Sequence, residues 1–252
     1  MILNKFRIDG QVAVVTGGTK GLGKATAIAL AEAGADIAAV SRSGNPELEK
    51  EILSLGRRYY HCIADLTQRD QTRKVIPAVV KNLGDVNILV NNAGIIRRSP
   101  ATDHSEIDWD ATLEIDLTAA FLLSQAAGRM MLKKKSGKII SIASVLSFQG
   151  GLNVAAYTAA KHGIAGLTKA LANDWAKHGI NVNAIAPAFF ETELTKALQN
   201  DPDRSKSITA RTPAGRWGSP EDLAGAAVFL ASPASNFVNG VILPVDGGWM
   251  AW

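Results

Sequence analysis

The sequence predicts a single-domain α/β protein, a doubly wound parallel sheet of about seven strands with helices on both faces. Three observations carry this. Gln11 to Thr16 (QVAVVT) is a near-continuous apolar run, as expected of a strand buried on both faces, and it passes directly into a glycine-rich turn and a helical pattern. Strand-like apolar runs and helical stretches then alternate along the chain, which is the signature of crossover connections. Finally, 252 residues with 47% hydrophobic content can bury one large core, and no second domain is evident, so residues 1–252 are read as one unit.

The first strand runs into Gly17, Gly18, Thr19, Lys20, Gly21, Leu22 and Gly23, and a helical pattern follows to a stop at Gly34. Strand, glycine turn and helix in that order make a phosphate site. Glycines let the backbone approach a pyrophosphate, and the helix N-terminus offers N–H donors and a positive dipole end. Asp36 to Val40 reads as the second strand, ending at Ser41-Arg42-Ser43 without a carboxylate. An acidic residue there would bind the 2′-hydroxyl of NAD, whereas an arginine accommodates a 2′-phosphate.

Tyr59 to Asp65 reads as a third strand, and the lone cysteine, Cys62, falls in it as core filler. Asp70 to Asn82 reads as helix, stopped by Gly84. Val86 to Val90 is the fourth strand, opening into Asn91-Asn92-Ala93-Gly94. Ser105 with Asp108 three residues on has the form of a helix start, and the helix runs to about Met131. Lys138 to Ala143 is the fifth strand and delivers Ser144. Val154 to His178 is a long helix, and Ile180 to Ala186 is the sixth strand. Glu191 to Pro213 is polar, with short helical pieces at best, so the segment 188–213 reads as a movable loop over a substrate. Ser219-Pro220-Glu221-Asp222 opens another helix, and Val241 to Val245 is the last strand. The apolar tail Asp246 to Trp252 carries two tryptophans, which predicts burial against a neighbouring subunit.

Composition narrows the function. A net charge of +4 with short, scattered basic runs and no interleaved aromatics gives no nucleic-acid footprint. The four histidines have no ligand-like spacing, so no metal is expected. Without a spanning apolar run or a signal peptide, the expected location is the cytoplasm.

The chemistry is expected between Ser144 and Lys161. Tyr157 and Lys161 are four apart in an Ala-rich helix, one turn apart on one face. A phenol titrates near pKa ~10, and an adjacent ammonium favours its anion. Tyr157 then becomes a general acid/base toward an oxygen held by Ser144.

TGxxxGxG at Thr16 to Gly23, NNAG at Asn91 to Gly94, Ser144 and Tyr157-x-x-x-Lys161 together resemble the short-chain dehydrogenase/reductase family over essentially the whole chain. The resemblance implies a Rossmann-type sheet, an NAD(P) cofactor and a homotetramer. It implies that Asp65-Leu66 contacts the adenine and that Asn92, Ala93 and Gly94 lie beside the cofactor. Pro187 to Thr192 resembles the family's Pro-Gly-x-x-x-Thr, which holds the nicotinamide amide, with Ala188 in place of the glycine. Lys20 and Arg42 are either exposed or meet a 2′-phosphate, and NADP(H) is favoured over NAD(H). Asp116 stands where the family usually has asparagine. It could pair with Lys161, accept protons itself, or simply be tolerated, and tolerance is the expectation.

IIRR (Ile95 to Arg98), SFQGG (Ser147 to Gly151), PAGRWG and VDGGW resemble the branch acting on keto-deoxy sugar acids. Arg97, Arg98 and Gln149 could hold such a substrate, or be solvated. Three alternatives stay open: a reductase of 3-oxoacyl thioesters, a reductase of an unsaturated-uronate-derived keto acid, and a non-enzymatic cofactor-binding module, against which the Ser/Tyr/Lys set argues.

Overall fold

The computed structural model describes residues 1–251. Seven strands, β1 (Val12–Thr16), β2 (Asp36–Ser41), β3 (Tyr59–Ile63), β4 (Ile88–Asn91), β5 (Gly137–Ile142), β6 (Ile180–Pro187) and β7 (Ile242–Val245), form one parallel sheet in the order β3-β2-β1-β4-β5-β6-β7. The order reverses between β1 and β4. In such sheets the ligand crevice lies outside the strand C-termini at that point.

Side chains alternate across the sheet, so β1 feeds two cores: Ala13 and Val15 face one, Val12 and Val14 the other. On the first face lie α1 (Gly21–Glu32), α2 (Pro46–Ser54) and α9 (Pro220–Ala231), burying Leu30, Leu48, Ile52, Leu223 and Leu230. On the second lie α3 (Arg69–Leu83), α5 (Ala119–Lys134) and α6 (Ala155–Trp175), burying Val79, Leu123 and Met131 against Leu89 and Ile139. Each such side chain contributes roughly 1.5–3 kcal/mol on removal from water. Cys62 is buried in the second core, as expected.

The caps read from sequence are present. Ser105 accepts from the Asp108 N–H at 3.1 Å, and Ser219 with Asp222 makes a capping box ahead of Pro220. Three features differ from expectation. Helix α2 (Pro46–Ser54) is not among the expected elements, although Asn45 caps it by accepting from the Leu48 N–H at 3.0 Å. The helix from Ser105 is not continuous: α4 (Glu106–Leu113) passes through a π-helical turn, Glu114–Thr118, before α5. And the segment 188–213 is not merely loop, since it contains α7 (Lys196–Gln199) and the three-turn α8 (Pro202–Arg211), capped by Asp201. No helix among the described residues is long and apolar enough to cross a membrane.

Candidate active site

β5 ends at Ile142, and two residues on Ser144 caps a 3-10 turn (Val145–Ser147), accepting from the Leu146 N–H at 3.1 Å. The Ser147 hydroxyl donates to the Lys161 carbonyl at 2.7 Å, which pins this turn against α6 and fixes Ser144 beside Tyr157. Lys161 is buried, its ammonium donating to the Ile142 carbonyl at 2.9 Å and lying 5.2 Å from the centre of the Tyr157 ring. Serine, phenol and ammonium therefore converge as expected, at the C-terminal edge of the sheet.

The fourth member is Asp116. The π turn holds one residue more than an α turn, and this aims Asp116 inward. Its Oδ1 accepts from the Ile95 N–H at 2.8 Å and its Oδ2 lies 3.3 Å from the Lys161 ammonium, with the carboxylate side chain 0% exposed. Of the options open for this residue, the structure contains the Lys161 pair. Gly94 is required by it, since a Cβ there would sit 2.7 Å from Asp116 Oδ2.

Charges balance differently from the simple expectation. Burial pushes the Tyr157 phenol above its usual value. Lys161 pulls it down, Asp116 pushes it up, and the Ser144 hydroxyl and Arg98 pull it down, but the net direction is upward. The ammonium does favour the phenolate, but burial outweighs it. Burial also raises the Asp116 carboxyl, against Lys161 and the Ile95 N–H. Lys161 is raised in turn, because Tyr157 and Asp116 overcome its own burial.

The glycine turn is shaped for a ligand. Gly17 and Gly21 have φ of 63° and 53°, which disfavour a side chain, and a Cβ on Gly23 would meet the Gly17 carbonyl oxygen at 2.2 Å. No side chain caps the N-terminus of α1 and its first turn has no acidic residue, so its first N–H groups are open to an acceptor from outside the chain. The donor chemistry fits a pyrophosphate. Thr16 and Asn92 hold the turn to β4: the Thr16 hydroxyl accepts from the Asn92 and Ala93 N–H groups, both at 2.9 Å, and the Asn92 amide donates to the Thr16 carbonyl at 2.8 Å.

Around the cradle, Thr19 is buried and Lys20 is exposed, Leu22 packs on the first core, and Leu66 is buried in the second. Ser41 closes β2 with its hydroxyl 3.0 Å from His61 Nε2, and Arg42 is exposed within the field of Asp65. The Asp65 carboxylate accepts from the Thr67 hydroxyl at 2.8 Å; burial raises it, but the Thr67 donors and Arg42 bring it below its usual value. His61 enters this corner from β3, a proximity that strand register shows and linear spacing does not. Pro187 ends β6, and Ala188 does not have positive φ, so the turn does not need the glycine expected there. Thr192 returns to the cradle, its Cγ2 3.6 Å from where a Cβ of Gly21 would lie.

The two arginines after β4 separate. Arg97 Nε is 3.4 Å from Asp108 Oδ1, in an exposed pair. Arg98 is exposed overall, but its guanidinium lies near Tyr157 and near Arg204 of α8; partial desolvation there lowers it, Tyr157 works the other way, and Arg204 adds to the lowering. Gln149 is partly exposed on the loop before α6, and the Ser99 N–H donates to the Asn153 carbonyl at 3.0 Å, joining the two loops. Arg204 is not singled out in the sequence, because the polar segment that contains α8 reads as a loop with short helical pieces at best. Its spacing from Ile208, one turn on, was the available signal: Ile208 packs on Val145, next to Ser144.

The tail corrects a further expectation. Trp249 is buried within its own chain with Val145 and Ile208, its ring 4.7 Å from Phe189 and 3.9 Å from the Arg211 guanidinium. It needs no neighbouring subunit. Trp252 lies outside the described residues.

Comparison with known proteins agrees with this geometry. A family profile described as enoyl-(acyl carrier protein) reductase, of the short-chain alcohol dehydrogenase type, matches residues 17–250. The 2-dehydro-3-deoxy-D-gluconate 5-dehydrogenase of Dickeya dadantii (strain 3937) is 49% identical over 252 residues, with 100% of both chains covered. The enzyme of that name from Escherichia coli (strain K12) is 48% identical, again over 100% of both. The crystal structure of a gluconate 5-dehydrogenase from Burkholderia cenocepacia J2315, in complex with NADP and tartrate, superposes with a TM-score of 0.94 at 42% identity, covering 100% of each chain. The chain belongs to the short-chain dehydrogenase/reductase family and is an NAD(P)-dependent dehydrogenase/reductase.

Proposed function

We propose that this enzyme interconverts a secondary alcohol and a ketone on a keto-deoxy sugar acid, with NADP(H) favoured over NAD(H). The observation that carries the substrate reading is the placement of Arg98. Its charge lies near the Tyr157 phenol with no ion-pair partner among the described residues, while Arg97 is turned to Asp108. A cation near the proton-transfer group suits a carboxylate on the substrate. The sugar-acid dehydrogenases among the full-length relatives support the same class.

The nicotinamide supplies the hydride acceptor or donor. Gly17, Thr19, Lys20, Gly21, Leu22 and Gly23 would cradle its pyrophosphate, with Asp65 and Leu66 at the adenine, Asn92, Ala93 and Gly94 beside the ribose, and Pro187 and Thr192 at the amide. Ser41, Arg42 and Lys20 would meet the 2′-phosphate, and the absence of a carboxylate at Ser41-Arg42-Ser43 supports that choice. In the oxidative direction the Ser144 hydroxyl orients the substrate oxygen and the Tyr157 phenolate takes its proton as carbon loses hydride. Reduction returns the proton from the phenol. Lys161 steadies the phenolate, and Asp116 steadies Lys161. Arg98 and Gln149 hold the acid and its hydroxyls, and 188–213, with α8, forms a substrate-covering segment that moves. A cytoplasmic homotetramer completes the proposal by family resemblance.

A second reading is reduction of a 3-oxoacyl thioester, which shares with the description of the family profile an acyl-thioester substrate but not the reaction. A panel of keto sugar acids, gluconate and acetoacetyl thioesters, followed by reduced-nicotinamide absorbance with each cofactor, tests both. Turnover of keto sugar acids with a lower KM for NADP(H) is expected. Preference for the thioester overturns the substrate assignment.

A further inference from the structure

Asp116 is a fully enclosed carboxylate 3.3 Å from an enclosed ammonium, and that ammonium lies 5.2 Å from the ring of the phenol that moves the proton. An isolated charge at this depth carries a large desolvation cost, so each favours the ionised form of the other, and Tyr157 also favours the charged form of Lys161. The groups facing the pair from each packed element are few. Tyr157 comes from α6, Arg98 and the Ile95 N–H from the loop after β4, and the Ser144 hydroxyl and Ile142 carbonyl from the end of β5. Glu114, on the same π turn, is taken up by Arg69 at 2.7 Å.

A neutral amide could accept from the Ile95 N–H as Asp116 Oδ1 does, so geometry alone does not call for a carboxylate. Its effect is one of charge. We infer that Asp116 is a positioning residue that, as a carboxylate, cancels the charge of Lys161, so that Tyr157 exchanges its proton at a higher pH than beside an unopposed ammonium. This rests on Tyr157 being the proton-transfer group. It replaces the simpler expectation that the carboxylate is merely tolerated.

The cancellation has a sign. Replacing Asp116 by asparagine leaves Lys161 unopposed, and an uncompensated cation at this range lowers a phenol by about one pH unit. Two readouts follow. The cofactor-free protein is titrated by ultraviolet phenolate absorbance, subtracting a Tyr157→Phe titration to remove Tyr59 and Tyr60. In parallel, the pH profile of kcat/KM for oxidation is recorded on the substrate identified by the panel.

The expected result for Asp116→Asn is a Tyr157 titration about one unit lower, an acid limb of kcat/KM moved in the same direction, and little change in KM. An unchanged titration overturns the inference, because the carboxyl would then be carrying its own proton. An upward shift overturns it as well. If circular dichroism shows that Asp116→Asn does not fold, Asp116→Ser, which removes the same charge, is titrated instead and read by the same criteria. The spectroscopic arm needs neither cofactor nor substrate. A failure of the sugar-acid assignment is therefore seen separately from a failure here.

Discussion

Removing Arg98 should be far more damaging than removing Arg97, and only for an anionic substrate. Arg97 and Asp108 have side chains 55% and 44% exposed, a pair at 3.4 Å that water screens heavily and that contributes about 0–1 kcal/mol. Arg98 is near Tyr157 and Arg204, two cationic groups and a phenol gathered where an anion would be welcome. A charge-assisted contact to a carboxylate is worth roughly 2–3 kcal/mol, or about 30–150-fold in kcat/KM. Arg98→Ala should lose that factor on a keto sugar acid and less than about threefold on a neutral sugar lacking the carboxylate. Arg97→Ala should lose at most about fivefold on either, the equivalent of ~1 kcal/mol. Steady-state kinetics of both variants on both substrates decide the matter. Equal losses for the two variants, or an Arg98→Ala loss that does not depend on substrate charge, would refute the assignment of the acid to Arg98.

Three further outcomes are expected. Gly23→Ala drives a Cβ into the Gly17 carbonyl at 2.2 Å, a backbone clash that displaces the cradle, so calorimetry should show the nucleotide Kd raised at least about tenfold; unchanged binding would remove the turn from the cofactor site. Arg42→Ala should raise the KM for NADP(H) about tenfold and leave that for NAD(H) alone, the equivalent of ~1.4 kcal/mol at the 2′-phosphate. Burial lowers Lys138 to about 8, where its ammonium donates to Asn236 at 2.9 Å and Ser235 at 3.3 Å. Between there and the unfolded value near 10.4 the unfolded chain binds the extra proton, so stability rises with pH. Below about 8 the charge is buried at a cost of roughly 3 kcal/mol. Urea unfolding of wild type and Lys138→Met should give stabilities whose difference moves by about 2–3 kcal/mol in favour of wild type between pH 7 and 10, and a pH-independent difference rejects the burial argument.

What was legible in the sequence is what local pattern controls. β1 announces itself because burial on both faces demands a near-continuous apolar run, and Tyr157 and Lys161 because helical spacing sets which side chains meet. Helix α2 was missed because only Leu48 and Ile52 face the core, too few for a clear period, although Asn45-Pro46 was an available start signal. Helix α8 has a single buried residue, Ile208, and its polar remainder resembles loop. The separation of Arg97 from Arg98 depends on Asp108, which another element brings up, and Trp249 found a home against Phe189 and Arg211 that composition could not locate. The direction of the Tyr157 shift was least legible of all. It is a competition between enclosure and four neighbouring groups, and only three-dimensional placement sets the weights.

That competition links substrate charge to proton transfer. With Asp116 set against Lys161, the guanidinium of Arg98 is the remaining cation acting on Tyr157. A carboxylate held by Arg98 would neutralise it, so an anionic substrate should make the phenol a stronger base when bound. The profile of kcat, which reports the enzyme–substrate complex, should then titrate at higher pH than that of kcat/KM, which reports the free enzyme. For a neutral alcohol the two profiles should coincide. Coincident profiles for the acid would mean that its carboxylate is held away from Arg98. Partial burial of Tyr157 is what gives these charges their reach, since the same groups in water would be screened within about 8 Å. The burial that raises the phenol is thus also what lets the substrate's own charge tune it.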